Sequence, residues 1–178
     1  MAMTLTGAHL TLRALEPEDL DFLYAVENNQ DIWSVSDTVT PYSKAVLKDY
    51  LANAHRPIYE TLQLRMVICL KQTQQPIGLV DLFDFDPKHR KAGVGIVISE
   101  NTERQKGRAK EAIELLLNYG FRHLKLHQVY ALVAVHNVPS IKLFEGLGFS
   151  CSGVLKSWWL TSDGYTDLNV FQRVRSEK

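Results

Sequence analysis

A strongly periodic helix pattern followed by an unbroken apolar run constrains the fold more than any other feature of this sequence. From Gln105 to Arg122 the apolar residues recur at three- and four-residue spacing, which predicts an amphipathic helix. Val129 to Val135 is then continuously apolar and rich in valine, and such a run is typical of a strand covered on both faces. A covered strand after a long helix predicts a layered α/β fold.

Shorter patterns predict the elements around this pair. Further strands are expected, from their alternation and their turn-like flanks, over 9–15, 63–70, 75–86, 91–99, 150–160 and 165–174. Further helices are expected over 17–28, 43–55 and 139–147. The sequence therefore predicts one α/β domain over residues 1–178, with a mixed sheet of about seven strands flanked by about four helices.

Composition limits the classes of partner. The chain has 20 basic and 20 acidic side chains, which excludes the strongly basic profile of a dedicated nucleic-acid-binding protein. No apolar run reaches the roughly 18 residues that cross a bilayer, and residues 1–12 lack the pattern of a signal peptide, so we expect a cytoplasmic protein without a membrane partner. Cys69 and Cys151 have no metal-ligand spacing, and His123 and His127 lack an intervening Glu. We therefore expect no metal site.

The segment with the clearest chemistry joins the strand over 91–99 to the long helix. Four cations lie within seven residues there: Arg104, Lys106, Arg108 and Lys110. A strand that leads into a helix through a turn exposes backbone N–H groups, and Gly107 lets a ligand approach that backbone closely. Basic residues at a helix start oppose the helix dipole unless an anion offsets them. We therefore expect a phosphate-binding turn, and the alternative is a solvated basic first turn.

Two motifs carry a resemblance to a known family. Arg104-Gln-Lys-Gly-Arg-Ala109 resembles the Q/R-x-x-G-x-G/A acyl-CoA signature of the GNAT superfamily of N-acetyltransferases. The stretch from Val129 to Asn137, followed by Pro139 to Phe149, resembles the second half of that family, in which a strand leads to Asn and a helix ends in Gly-Phe. Nearly the whole chain is similar to the branch that contains spermidine N-acetyltransferase and the ribosomal-protein N-terminal acetyltransferases.

This resemblance implies a sheet that splays between the strand of Ile96 and the strand of Val129, with acetyl-CoA in the opening. The implied cofactor-binding residues are Val97, Ile98 and Ser99 for the pantetheine, Arg104, Gln105, Lys106, Gly107, Arg108 and Ala109 for the pyrophosphate, and Asn137, Ser140 and Lys142 near the pantetheine and adenine ends. Asn137 is equally compatible with a plain cap of the short helix, and the two roles can coexist.

One expected catalytic group is replaced. Many family members carry a tyrosine on the short helix that protonates the departing thiolate, and this chain has Phe144 at that position. A thiol with a pKa near 8.5 costs roughly 2 kcal/mol to expel as its anion around pH 7. This cost is small enough for catalysis to proceed without the tyrosine. A water molecule or the Ser140 hydroxyl is a candidate proton donor in its place.

An acidic strand supplies candidates for handling the acceptor amine. Asp81 shares its alternation with Phe83 and Phe85, and a carboxylate on an apolar face is costly to bury without a partner. It is a candidate base or ammonium anchor, and the alternative is a core aspartate with its own partner. Asp84 and Asp86 are expected on the other face as solvent-facing charges, although Asp84 matches an acidic position of the polyamine enzymes and remains a catalytic candidate.

These residues predict an acetyl-CoA-dependent N-acetyltransferase that acts by direct attack in a ternary complex, since neither cysteine lies in an activated setting. The acceptor is a primary amine, on a polyamine or at a peptide N-terminus. Gly93-Val94-Gly95 stands where polyamine enzymes have a further acid, which weakens spermidine as the substrate. A homo-oligomer is compatible with the sequence, and a non-catalytic acyl-CoA sensor is the alternative function.

Overall fold

The computed structural model describes residues 4–33, 36, 38–99 and 101–176, and they form one mixed sheet with helices on its faces. The strands are β1 (Leu10–Arg13), β2 (Leu64–Leu70), β3 (Pro76–Asp86), β4 (Lys91–Ile98), β5 (Gln128–Ala134), β6 (Ser150–Thr161) and β7 (Gly164–Val174). Their order across the sheet is β1-β2-β3-β4-β5-β7-β6. Every predicted strand is confirmed. Strands can be predicted in this way because alternation and turn residues are patterns of consecutive residues.

The helices are α1 (Leu20–Glu27), α2 (Gln30–Trp33), α3 (Lys44–Asn53), α4 (Ile58–Thr61), α5 (Arg108–Arg122) and α6 (Val138–Gly146). The expectation of four helices omitted α2 and α4, since a helix of four residues is too short to show a period. The start of α5 at Gln105 was also wrong. Gln105 and Gly107 have φ angles of 62° and 75°, and left-handed residues cannot belong to a right-handed helix. No helix in the described part of the chain has the length and apolarity to span a membrane.

The two faces of the sheet are covered by different helices. On one face, α1 and α3 enclose the buried side chains Leu23, Val26, Leu47, Leu51, Val67, Cys69 and Leu79. On the other face, α5 and α6 contribute to a larger cluster that includes Ile113, Leu116 and Phe144. In β5, Val129 and Val133 are buried, whereas Tyr130 is half-buried. The expected burial of that strand on both faces therefore holds fully for one face only.

The sheet opens between its two central strands. Pairing of β4 with β5 is parallel and is limited to Lys91 with Gln128, Ala92 with Val129, and Gly93 with Tyr130. Beyond Gly93 the strands have no further paired residues within the described chain, while β5 pairs with β7 along its whole length. The splayed sheet predicted from the resemblance is confirmed.

A β-bulge interrupts β3 beside this opening. The register with β4 shifts between Phe83 and Asp86, and Asp84 has a φ of 48°. Because the bulge shifts the alternation by one residue, Phe85 is buried in the cluster of Val80 and Leu82 rather than on the face of Asp81. The expected alignment of Phe85 with Asp81 was therefore wrong.

Candidate active site at the opening of the sheet

The end of β4 and the turn that follows it meet at the wide end of the opening. Arg104 reaches back from the turn, and its Nε donates to the carbonyl oxygen of Ile98 at 3.0 Å. Ser99 donates to the carbonyl of Ile77 through its backbone N–H at 2.9 Å and its hydroxyl at 3.0 Å. Val97, Ile98 and Ser99 are half-buried, so the strand end is fixed while its edge toward β5 has no paired strand in the described chain.

The turn from Arg104 to Gly107 presents the first N–H groups of α5. Gly107 is the N-terminal cap residue, and no side chain caps this helix end within the described structure. A Cβ atom added to Gly107 would meet no atom within 4 Å, yet its φ of 75° disfavours any residue with a side chain. Gln105 and Lys106 are exposed, and Arg108 and Ala109 are half-buried. Glycine is therefore favoured here by backbone conformation, in an open space that a phosphate can reach.

Glu103 binds two cations of this turn. Its carboxylate lies 3.0 Å from Lys106 Nζ and 2.9 Å from Arg108 Nε. The hydrogen bonds from Lys106 and Arg108 lower the pKa of Glu103 below its ordinary value. An incoming phosphate must therefore compete with this carboxylate for the same cations, a feature that the sequence pattern did not indicate.

The start of α6 stands at the β5 side of the opening. Asn137 Oδ1 accepts a hydrogen bond from the backbone N–H of Ser140 at 3.2 Å, so the capping role of Asn137 is confirmed. Ser140 is half-buried and Lys142 is exposed. The cofactor contacts assigned to these three residues by resemblance remain predictions.

Phe144 is part of the core. Its side chain is 5% exposed, with the ring of Phe149 at 5.1 Å in an edge-to-face arrangement and the ring of Phe171 stacked at 6.3 Å. A phenyl ring supplies no proton to a leaving group, so this position packs the helix against the sheet. Its proximity to a thioester sulfur remains a prediction.

Asp81 is held by an arginine. Arg65 Nε lies 2.6 Å from Asp81 Oδ1, and Arg65 Nη1 lies 2.5 Å from Glu27 Oε1. Burial lowers the pKa of Arg65, but the nearby carboxylates outweigh burial and raise it, so the guanidinium remains charged. Asp81 thus has the partner that a core aspartate requires, and its part in catalysis remains a prediction. The sequence did not reveal this partner because Arg65 and Glu27 lie on other elements.

Asp84 is exposed and lies close to an aromatic pair. Tyr130 donates its hydroxyl to Asp84 Oδ2 at 3.4 Å, and the Tyr130 ring stands edge-to-face against Phe83 at 6.0 Å. Burial, followed by the Asp84 carboxylate, raises the pKa of Tyr130 to about 12. The Phe83 ring covers Gly93 so closely that an added Cβ would lie 2.3 Å from it. The solvent exposure expected for Asp84 is observed.

Comparison with known proteins decides the family. A family model described as "Acetyltransferase (GNAT) domain" matches residues 9–150. The chain belongs to the GNAT acetyltransferase family. This GNAT protein is therefore an acyltransferase, and the resemblance seen in the turn motif and in the strand before Asn137 is confirmed.

Individual relatives cover almost the whole GNAT chain. Spermidine N(1)-acetyltransferase of Vibrio cholerae is 35% identical over 171 residues, which span 96% of each protein. The crystal structure of the V. cholerae spermidine N-acetyltransferase in complex with CoA and spermine is 34% identical, covers 94% of this chain and 96% of that chain, and has a TM-score of 0.82. A dodecameric structure of the V. cholerae enzyme is 33% identical over 94% of this chain and 95% of that chain, with a TM-score of 0.78.

The predicted residues of this GNAT site fall into three groups. Residues 97–99 and 104–109 meet at one edge of the opening, and residues 137–142 begin the helix that follows β5. Asp81 and Asp84 lie on β3, which pairs with β4. The sequence analysis did not identify Glu103, Arg65 or Tyr130 as residues near the site. The parallel pairing of Tyr130 with Gly93 could have indicated Tyr130, but this pairing is known only once β4 and β5 are aligned. In the described ranges no cluster of three His, Cys, Asp or Glu side chains is suited to a metal.

Proposed function

We propose that this GNAT enzyme transfers the acetyl group of acetyl-CoA to a primary amine of a polyamine such as spermidine. The observation that carries the proposal is the separation of β4 from β5 beyond Gly93 and Tyr130, with a cationic turn at its wide end. The proposal treats residues 1–178 as one acetyltransferase domain. A cytoplasmic site of action belongs to the same proposal.

The cofactor fits the chemistry of the opening. The pantetheine amides pair with the free backbone edge around Val97 to Ser99, as an added strand would. The pyrophosphate accepts the N–H groups of 105–109, where the dipole of a 15-residue helix favours an anion. Arg104, Lys106 and Arg108 add charge-assisted hydrogen bonds. Asn137, Ser140 and Lys142 border the cofactor from the β5 side.

The reaction is a direct transfer between two bound substrates. The neutral amine attacks the thioester carbonyl carbon, the carbon–sulfur bond breaks, and the ammonium formed on the product loses its proton to solvent or to a carboxylate. An alkyl amine with a pKa near 10.4 is almost wholly protonated at neutral pH, so a base or a water chain must first remove a proton. Asp81 is the proposed residue for this step or for orienting the amine. The thiolate leaves without help from Phe144.

Polyamines are the favoured acceptors. Two carboxylates on β3, Asp81 and Asp84, suit a cationic acceptor, and the relative with 35% identity is a spermidine N(1)-acetyltransferase. The segment Gly93-Val94-Gly95 lacks an acidic side chain that the polyamine enzymes have there. The set of carboxylates available to bind the acceptor therefore differs from that of the polyamine enzymes. A homo-oligomeric state is also proposed, because the matching V. cholerae structure is dodecameric.

An acceptor panel tests this function. Free CoA release is measured with acetyl-CoA and equal concentrations of spermidine, spermine, single amino acids and short peptides, against a blank without enzyme. We expect kcat/KM to be highest for a polyamine. Faster turnover of a peptide N-terminus would replace the polyamine by a peptide acceptor, and CoA release that never exceeds the blank would contradict the proposed function.

A further inference from the structure

Basic residues from three parts of the chain meet at one end of the sheet. The segments 87–91, 122–127 and 173–175 contain seven of the 20 Lys and Arg side chains and no Asp or Glu. The backbone joins these segments, because His127 donates its N–H to the carbonyl of Arg90 at 2.6 Å and Arg175 donates to the carbonyl of His127 at 2.7 Å. This group of three segments is named the basic end.

The basic end is open to solvent. Lys88, Arg90, Lys125 and Arg175 are exposed. Asp86 precedes the first segment and accepts the backbone N–H of His89 at 2.9 Å, so one neighbouring carboxylate offsets a small part of the charge. A surface with this excess of one sign attracts a partner of the opposite sign.

Acidic residues are concentrated in another part of the chain. Residues 14–43 contain seven of the 20 Asp and Glu side chains and no Lys, Arg or His. Glu16, Glu18 and Asp21 lie around the start of α1 and are exposed. Asp21 contacts Lys44 at 2.6 Å, but both side chains of this pair are exposed, and such pairs contribute little. The three carboxylates are named the acidic surface.

The acidic surface is far from the basic end of the same molecule. Within the acidic segment, Asp19 binds Arg13 at 2.7 Å, and Arg13 pairs with Val67 of β2. Val67 is level with Val97 of β4 across the sheet, and Val97 lies six residues beyond Lys91. Because a strand rises about 3.3 Å per residue, the separation along the strands is about 20 Å. This exceeds the Debye length of about 8 Å, so the two surfaces do not neutralise each other within one chain.

We propose that the basic end of one subunit binds the acidic surface of a second copy of this chain in a head-to-tail contact. The inference rests on the homo-oligomeric state that is part of the proposed function. The chain has equal numbers of basic and acidic side chains, and their separation onto two distant surfaces makes the molecule complementary to a copy of itself. A contact between two different surfaces repeats from copy to copy and closes into a ring when the rotation permits.

The basic end borders the opening that receives the acceptor. Lys91 lies two residues before Gly93, which belongs to the last parallel pair before β4 and β5 separate. Uncovered cations at this place would repel a cationic acceptor. Carboxylates supplied by the neighbouring subunit offset that repulsion, so the contact favours the proposed substrate class as well as the assembly.

Two charge-reversal variants test the contact. The first carries Lys88→Glu with Arg175→Glu, and the second carries Glu18→Lys with Asp21→Lys. All four side chains are exposed, so the fold should tolerate the changes. Molar mass is measured by light scattering after gel filtration. Each variant alone places like charges across the contact, and its mass should be at least about twofold lower than that of wild type. An equimolar mixture of the two variants should regain the wild-type mass, because each reversed surface then meets a reversed partner.

A matched control separates this contact from a general effect of charge. Lys48→Glu with Lys71→Glu changes the net charge as much as the first variant does, and both lysines are exposed on other parts of the molecule. This control should keep the wild-type mass. Raising the salt concentration from about 0.05 M to about 0.5 M should raise the dissociation constant of the wild-type assembly at least about tenfold.

The other outcomes contradict the inference or the function separately. Assembly that persists in both reversal variants, or that does not return in their mixture, overturns the contact. Wild-type protein that is a single chain in solution also overturns it, while release of CoA with the acceptor panel leaves the transferase function intact. Binding of single-stranded RNA that is lost in the first variant without a change in mass assigns the basic end to a nucleic acid instead. Assembled wild-type protein that releases no CoA with any acceptor contradicts the transferase function, although a recovered mass in the mixture still supports the contact.

Discussion

Gly93 of β4 lies opposite Tyr130 of β5, and this is the last parallel pair before the two strands separate. A glycine on one side of the pair leaves room for the Phe83 ring, and the tyrosine on the other side reaches Asp84. The closed end of the opening is therefore aromatic and acidic, whereas the wide end, near Arg104 to Arg108, is cationic. This polarity suits an amine at one end and a pyrophosphate at the other.

Gly107→Val should weaken acetyl-CoA binding by at least about tenfold, since a β-branched residue is strained at a φ of 75° and the turn would lose its shape. Isothermal titration calorimetry measures the change. Gly153→Val is the matched control, because a Cβ atom added to Gly153 would also meet no atom within 4 Å, while the φ of Gly153 is not positive. Unchanged affinity in Gly107→Val would remove the turn from the cofactor site.

Glu103→Gln should tighten acetyl-CoA binding about fivefold, because the neutral amide no longer competes with phosphate for Lys106 and Arg108. The pKa of Glu103 is lowered by these cations from its ordinary 4.5, so the carboxylate is charged throughout pH 5 to 8. The gain in affinity should consequently be constant over that range and disappear only at more acidic pH. Weaker binding in Glu103→Gln would show instead that Glu103 positions the cations for the cofactor.

Phe144→Tyr should raise kcat at neutral pH while leaving acetyl-CoA affinity within about twofold, because a hydroxyl near the sulfur would recover part of the roughly 2 kcal/mol needed to expel a thiolate. Steady-state kinetics measure the effect. Phe149→Tyr is the control, since Phe149 is equally buried and contacts Phe144. A kcat that is unchanged or lower in Phe144→Tyr would count against placing this ring beside the thioester.

Asp81→Asn should lower kcat/KM for the best acceptor at least about tenfold, because its carboxylate orients or deprotonates the amine. This variant also removes the charge that most favours the charged form of Arg65, while the contact of Arg65 with Glu27 remains, so the thermal unfolding midpoint should fall and the rates are compared where the variant is folded. The rates are measured from pH 6 to 9. Loss of a catalytic contact changes kcat/KM by more than about twofold. A kcat/KM that stays within about twofold of the wild-type value from pH 6 to 9 would therefore show that Asp81 is only a structural partner of Arg65.

Local signals predicted most of this fold, and tertiary contacts account for what they missed. The apolar period of α5 and the valine-rich run of β5 are properties of consecutive residues, so both elements were predicted to within a few positions. The partner of Asp81 lies 16 residues away along the chain, and the bulge at Asp84 arises from the register of β3 against β4. Neither follows from the local pattern, which is why Phe85 was placed on the wrong face.

The most direct test of the central claim is the stoichiometry of one reaction. The enzyme is incubated with acetyl-CoA and spermidine, free CoA is quantified, and the polyamine product is identified by mass spectrometry. The account predicts one N-acetylated spermidine for each CoA released, with initial rates that show both substrates bound together. Acetyl-CoA that binds tightly and remains intact with spermidine and every other amine would contradict the account and indicate an acyl-CoA-binding protein without transferase activity.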